Sequence, residues 1–501
     1  MKEIPNKYKH KELETNWKEQ WRLDEVYSWD PSQPREKTFV VDSPPPTVSG
    51  SLHIGHVFSY THQDLLARYQ RMKGKNICYP MGWDDNGLPT ERRVQNLFRV
   101  KCDPSVPYDP NFEPERRTKG VVVDISRRNF IEACAQVTQE DEAAFEDLWR
   151  TLGLSIDWGL QYATIDEHCR KISQNSFLEM VEKGYAYSTE APTMWDVDFQ
   201  TAVAQAEVED RVRPGFFHDI RFQVEGGGDF VISTTRPELL PACIAVVAHP
   251  EDERYRPLFG KHAVTPLFEA KVPILPSEHA DPEKGTGILM VCTFGDSADV
   301  DFWKHSGLPI KQVIGRSGVM LPVVFGEGNF TSENPAKAQK SYDQIAGLAV
   351  KQAKAKIAEL LAADIQPDGT SPLVSEPRSI EHPVKFYEKG DRPLEFVPTR
   401  QWFVRLLEHR DALKQQGSKI QWHPAHMETR YQHWVEGLNL DWCISRQRYF
   451  GVPFPVWYPL DERGECKFDQ PIFATPDMLP VDPMSSPPPG FSEEQRGKPN
   501  G

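Results

Sequence analysis

Ile54, Phe58, Thr61, Leu65, Tyr69 and Met72 recur at steps of three and four. That spacing predicts one face of an amphipathic helix, with Lys73 in its last turn and Gly74 available to stop it. The β-rich run TFVV (38–41) precedes this helix and NICYP (76–80) follows it. Strand, loop, helix, strand is a βαβ unit, the mark of a parallel doubly wound sheet. Upstream, residues 8–27 read as helical, with Trp17 and Trp21 four apart, and residues 140–184 read as helical up to Gly184. From about residue 190 the pattern changes. Short runs such as IRFQV, DFVISTT, IAVVAHP and KVPIL alternate with Gly, Pro and Asp, the texture of a strand-rich insertion. One helix is expected there, with Ile345, Leu348, Ile357, Leu360 and Leu361 on its apolar face. After about residue 395 the chain returns to mixed α/β and ends in the Pro/Gly-rich SSPPPGFSEEQRGKPNG. The resulting division is 1–36, 37–190, 191–385 and 386–501.

Chemistry concentrates in PPPTVSGSLHIGH (44–56), where His53 and His56 stand at the predicted helix start. Zinc ligation fits poorly, because paired His ligands on a helix usually lie four apart with an acid nearby. Core packing also fits poorly, since the apolar face begins at Ile54 and avoids both histidines. Anion binding accounts for more of the residues. A helix N-terminus presents unpaired N–H groups and the positive dipole end. Gly50 and Gly55 let a phosphate or base approach the backbone, and imidazole N–H groups can bond phosphoryl oxygens. Further on, Asp84-Asp85-Asn86-Gly87 suits a turn, and Asp84 can equally supply a counter-charge to a desolvated cation.

The formal net charge of −15 means that any nucleic-acid contact needs a local basic patch. Arg92-Arg93, Arg116-Arg117-Lys119 and Arg127-Arg128 are the clusters available, though on an acidic chain such groups also serve as solvated surface. No apolar run approaches the roughly 18 residues of a membrane span, and MKEIPNKYKHKELETNWKEQW lacks a signal-peptide core. The eight cysteines form no C-x-x-C pair, which argues against a zinc ribbon or a disulfide scaffold. A cytoplasmic protein without membrane contact or bound zinc is expected.

HIGH (53–56), MGWDDNGLPTERRVQ (81–95) and DWCISRQRYFGVPFPVW (441–457) together resemble the class I aminoacyl-tRNA synthetases, in the valine, isoleucine and leucine branch. The PPPTVSGSLHIGH context is most similar to the valine-activating members, and the resemblance covers essentially the whole chain. It implies a Rossmann-like α/β catalytic domain with a parallel sheet, whose first half is 37–190 behind a helical extension at 1–36. The β-rich editing domain is inserted at 191–385, and an incomplete second half spans 386–501. It further implies a ligase that joins valine to ATP, with Mg2+, and transfers it to tRNA(Val). In that scheme His53 and His56 are catalytic and bind ATP together with Gly50 and Gly55. Gly55 would make room for adenine or ribose. Pro44, Asp84 and Trp442 bind the amino acid, with Asp84 on its ammonium.

STTRPELL (233–240) and GTGILMV…FGDSADVDFWKHSGLP (285–309) are similar to the family's editing motifs. Thr234, Thr235 and Arg236 would line a hydrolytic site for threonyl-tRNA(Val). Asp299 would hold the α-amino group, assisted by Asp296. Relatives often carry Asn at Thr47, and Pro-Ala-His where this chain has Thr293-Phe294-Gly295. The family's Lys-Met-Ser-Lys-like loop and anticodon domain are not found. The expectation is therefore the N-terminal part of a longer, monomeric enzyme with little aminoacylation by itself. The alternatives are a stand-alone hydrolase that clears mischarged tRNA in trans, and an isoleucine-type synthetase.

Overall fold

Thr38–Val40 (β1) and Asn76–Cys78 (β2) pair in parallel, in the register Phe39↔Ile77, on either side of the helix Ile54–Met72 (α2). This is the βαβ unit expected from the hydrophobic pattern. The computed structural model describes residues 7, 9–48, 53–117, 119–366 and 368–497. They divide into two compact units, one of residues 1–183 with 448–501 and the other of residues 184–447.

The first unit begins with α1 (His10–Leu23). After α2 and β2, β3 (Met81–Trp83) leads into α3 (Leu88–Phe98) and β4 (Val100–Cys102). Then follow β5 (Val123–Ile125), the long helix α4 (Arg127–Leu152), β6 (Gln161–Ala163) and α5 (Glu167–Glu182). Two further parallel pairs form, β3 with β6 and β4 with β5. Tyr60, Ile77, Tyr79, Met81, Trp83, Phe145, Trp149 and Ile156 make one core, and Phe98, Phe130, Val137 and Phe450 belong to a second.

The stripe that predicted α2 does not face this core. Ile54 is 80% exposed and Met72 87%, and Phe58, Leu65 and Tyr69 are exposed as well. The buried side carries Tyr60, Asp64 and Ala67. Asp64 is tied down on this side. One carboxylate oxygen accepts the N–H and the hydroxyl of Ser155, each at 2.6 Å, and the other accepts Arg68 Nε at 2.7 Å. A buried carboxylate keeps its charge only where such donors meet it.

The second unit opens with β7 (Ala186–Asp196), β8 (Thr201–Ala202) and β9 (Val208–Val224), followed by β10 (Asp229–Thr234) and β11 (Cys243–Ala248). Next come β12 (His262–Val264), β13 (Lys271–Pro276), β14 (Ile288–Cys292) and α6 (Ser297–Ser306). The unit continues with α7 (Pro335–Tyr342), α8 (Val350–Ala363), β15 (Arg378–Tyr387) and β16 (Glu395–Val404), and closes with α9 (Arg410–Gly417), α10 (Met427–Glu436) and β17 (Trp442–Cys443). A seven-stranded sheet runs β10-β9-β12-β13-β11-β14, with β15 also on β9. Its core takes Phe222, Ile232, Leu239, Val246, Phe268, Tyr342, Ile357 and Leu361. Of the apolar face expected for one helix, Ile357, Leu360 and Leu361 lie on α8, whereas Ile345 and Leu348 lie in the segment before it.

The compact units cut the chain differently from the sequence-based division, since 386–447 clusters with the insertion. β7 and β16 pair antiparallel from Ala186↔Val404 to Trp195↔Glu395. The two strands flanking the insertion are thereby joined to each other.

Candidate functional site

In the first unit the chain after β1 runs beside the end of β3. Asp84 N–H donates to the Pro46 carbonyl at 2.9 Å, and Val48 N–H to the Asp84 carbonyl at 3.1 Å. Thr47 Oγ1 donates to Asp84 Oδ2 at 3.2 Å. Pro44 is held through its carbonyl, which accepts the Tyr60 hydroxyl at 2.6 Å. Pro44 and Asp84 are thus brought to one loop pair, with Thr47 steering the carboxylate. Thr164, in the turn after β6, supports this loop, because its hydroxyl accepts Asp85 N–H at 3.2 Å and Asn86 Nδ2 at 3.0 Å.

Asp85 is fully buried. Burial raises its pKa, and so do the neighbouring carboxyl groups, Glu142 first among them, so the carboxyl holds a proton more readily than an ordinary aspartate. Asp84 is half-buried beside it. Glu91 anchors the far end of the same segment by accepting Tyr449 N–H at 2.6 Å and Phe450 N–H at 2.9 Å.

His53 caps the N-terminus of α2 in extended backbone. Its Nδ1 accepts Gly55 N–H at 3.2 Å, and His56 Nδ1 accepts His53 N–H at 3.4 Å. The ring centroids are 4.0 Å apart. A neutral imidazole that accepts at Nδ1 carries its proton on Nε2, so the ring pair offers donors rather than the lone pairs a metal needs. Burial, then the repulsion that two adjacent imidazolium rings would feel, lowers the pKa of His56. A Cβ at residue 55 would lie 3.0 Å from the His53 ring. The missing side chain at Gly55 therefore leaves room for the His53 ring. Gly50 lies outside the described residues. Among the described residues no group of three or more His, Cys, Asp or Glu is arranged to hold a metal ion, and no helix is long and apolar enough to cross a membrane.

Trp442 belongs to the second unit, where it is about half exposed on the short strand paired with β16. The preceding Asp441 accepts the N–H groups of Leu406 and Leu407 and the Tyr187 hydroxyl.

A second cluster lies wholly within the second unit. β10 ends at Thr234, whose Oγ1 accepts Arg236 N–H at 3.0 Å. The Arg236 guanidinium donates to Glu238 at 2.8 Å, to Glu395 at 2.7 Å and to the Gly295 carbonyl at 3.3 Å. Both carboxylates are buried. Burial lowers the arginine's pKa, but Glu395 and Glu238 outweigh it, and the net direction is upward. Thr235 is half-buried on the same turn.

Asp296 caps α6, accepting Asp299 N–H at 3.0 Å. Asp299 Oδ2 accepts Gly295 N–H at 2.8 Å. Burial, then the charge of Asp296, pushes the Asp299 carboxyl up to about 8. The cluster therefore brings Thr234, Thr235, Arg236, Asp296 and Asp299 together. The sequence reading missed Glu238 and Glu395, which hold Arg236, as well as Thr164 and Tyr60 in the first unit. Glu238 lies inside a quoted motif and could have been noticed as an acid two residues from an arginine. Glu395 lies 159 residues from Arg236 in the chain and carried no local signal.

Residues 16–473 match the family model described as "tRNA synthetases class I (I, L, M and V)". The chain is 54% identical over 503 residues to a valine–tRNA ligase of Thermobifida fusca (strain YX), covering 99% of this chain and 56% of that relative. It is 51% identical over 507 residues to one of Salinispora arenicola (strain CNS-205), covering 99% of this chain and 57% of that relative. The chain thus spans a little over half the length of the curated relatives it matches. Among solved structures, the agnB2 LeuRS–tRNA–LeuAMS ternary complex of Agrobacterium radiobacter K84 aligns at a TM-score of 0.40 and 20% identity, covering 95% of this chain and 53% of that one.

Proposed function

Because the chain belongs to the class I tRNA synthetases of the I, L, M and V group, we propose that it carries the amino-acid-activating and hydrolytic sites of a valine–tRNA ligase. ATP, with its Mg2+, and valine meet at the first site. A valine carboxylate oxygen bonds to the α-phosphorus, the bond to the β-phosphate bridging oxygen breaks, and pyrophosphate leaves. The chain's part is positioning and charge stabilisation. Asp84, oriented by Thr47, pairs with the substrate ammonium. His53 and His56 direct Nε2–H donors at phosphate oxygens beside the positive end of α2. The valyl group then passes to tRNA(Val) in the cytoplasm. The observation that carries this reading is the histidine pair, with both Nδ1 atoms bonded to backbone at the start of α2.

A hydrophobic valine pocket rejects threonine weakly, because threonine is nearly isosteric with valine; that pair is a standard example of the problem. The cluster around Arg236 and Asp299 suits the remedy. Asp299, once ionised, pairs with the α-amino group of threonyl-tRNA(Val). Water then adds to the ester carbonyl, and the C–O bond to the terminal ribose breaks, releasing threonine and free tRNA.

A second reading, a hydrolase acting in trans, is favoured by one observation: the whole Arg236–Asp299 cluster lies within a single compact unit. Calorimetry with a non-hydrolysable valyl-adenylate analogue separates the two. Binding that prefers the valyl over the isoleucyl analogue supports the ligase. Preference for the isoleucyl analogue moves the assignment to the isoleucine branch. Absence of binding, with threonyl-tRNA(Val) hydrolysis intact, leaves only the hydrolase.

A further inference from the structure

Gly295 sits between the two charged groups of the hydrolytic cluster. Its N–H donates to Asp299 Oδ2 at 2.8 Å, and its carbonyl accepts Arg236 Nη1 at 3.3 Å. One peptide unit thus fixes the distance between a carboxylate and a guanidinium. The absence of a side chain at this position is as important as the peptide. A Cβ on residue 295 would stand 2.7 Å from Asp299 Oδ2 and 3.3 Å from Leu239 Cδ1. The first distance is too short for any real contact, so something has to move. Leu239 is buried in the core of the unit and gives little, whereas the carboxylate is the free end of a two-bond side chain and gives way first.

The surrounding loop is held independently. Thr293 Oγ1 donates to the Lys311 carbonyl at 3.0 Å and accepts Lys311 N–H at 2.8 Å. Thr293 N–H donates to the Ala242 carbonyl at 3.2 Å, and Lys311 Nζ donates to the Cys243 carbonyl at 3.0 Å. Phe294 is buried, its ring edge-on to Trp303 at 5.4 Å. The backbone at 293–295 is therefore set by contacts that a small side chain at 295 leaves alone.

We infer that Gly295 is a positioning residue of the hydrolytic site, reserving with its missing side chain the place of the Asp299 carboxylate and holding that carboxylate toward an incoming α-ammonium group. The inference rests on the hydrolytic reading given above. It makes the identity of residue 295 a determinant of how well an aminoacyl ester with a free amino group is held. Any larger residue there requires a different placement of the acid.

The test compares threonyl-tRNA(Val) hydrolysis by the 501-residue chain with that of Gly295→Ala, Asp299→Ala and the double variant. Gly295→Ala is expected to lose about ten- to a hundredfold in kcat/KM, the scale of an ångström-sized misplacement, with most of the loss in KM. The double variant is expected to be no slower than Asp299→Ala alone, because the alanine methyl acts only through the carboxylate. If Gly295→Ala alone melts early, the double variant, which lacks the clashing carboxylate, melts with Asp299→Ala and not below it. Wild-type rates in Gly295→Ala overturn the role of Gly295 and leave the hydrolytic reading standing. So does a further loss in the double variant, or a melting midpoint in it below that of Asp299→Ala. A wild-type chain that hydrolyses nothing overturns both.

Discussion

The two clusters handle charge in opposite ways. At the start of α2, His53 is exposed and His56 half-buried, and burial and proximity lower the pKa of His56. Around Arg236, one guanidinium and two carboxyl groups are withdrawn from solvent, and burial raises the pKa of Glu395, which offsets the excess of acid over base. A site for an anion that arrives with its own counter-ion needs only neutral donors and a dipole end. A site that discriminates a small cationic ester needs fixed charges with controlled protonation. The first is built from neighbours in sequence and the second from segments far apart, and their failures should differ accordingly.

The largest expected effect is on the buried network. Arg236→Ala leaves Glu238 and Glu395 buried without their cation, which costs about 3–5 kcal/mol in systems of this kind. Chemical unfolding should register that loss in the second unit and leave valyl-adenylate analogue binding at the first site unaffected. Arg236→Ala with unchanged stability would mean that the network is open to solvent. Next in size, His56→Ala should slow valyl-adenylate formation about 10²–10³-fold, the usual cost of one donor to developing charge. Valine-dependent pyrophosphate exchange measures it; a smaller loss in His56→Gln, whose amide keeps an N–H donor, would show that donation rather than ring shape is at stake, and an equal loss would show the reverse.

The pH dependence separates the sites further. With the Asp299 carboxyl raised to about 8, only a minority of molecules are ionised at pH 7 and most are at pH 9. Hydrolysis should therefore rise about tenfold over that interval. Stability moves the other way. A group whose folded pKa lies above its unfolded value stabilises fully below the unfolded value, near 4, and loses that contribution as pH climbs toward 8. Asp299→Asn should flatten both profiles. The smallest effect is Thr47→Val, which removes one hydrogen bond to Asp84 and should raise the KM for valine about fivefold, equivalent to about 1 kcal/mol.

Local features were the legible ones. The α2 boundaries, the parallel pairing of β1 with β2 and the histidines at the helix start all follow from short-range spacing, and the family resemblance followed from contiguous blocks. Orientation was not legible. Spacing says which residues share a face of α2 but not which face is covered. The side that carries Tyr60, Ala67 and the Asp64–Ser155 bonds is the covered one, and Ile54 and Met72 lie outside it. The limits of the compact units were hidden for a similar reason, because β7 meets β16 about two hundred residues later. The Arg236 network was half legible. Its cation stands in a recognisable motif, but Glu395 and the Gly295 carbonyl reach it only through the fold.

The most direct test of two chemically separate sites is calorimetric titration with the non-hydrolysable valyl-adenylate analogue. Binding is predicted for the wild-type chain, is lost or greatly weakened in Asp84→Asn, and is unchanged in Asp299→Asn. No binding by the wild-type chain, or equal weakening by the two substitutions, would contradict it.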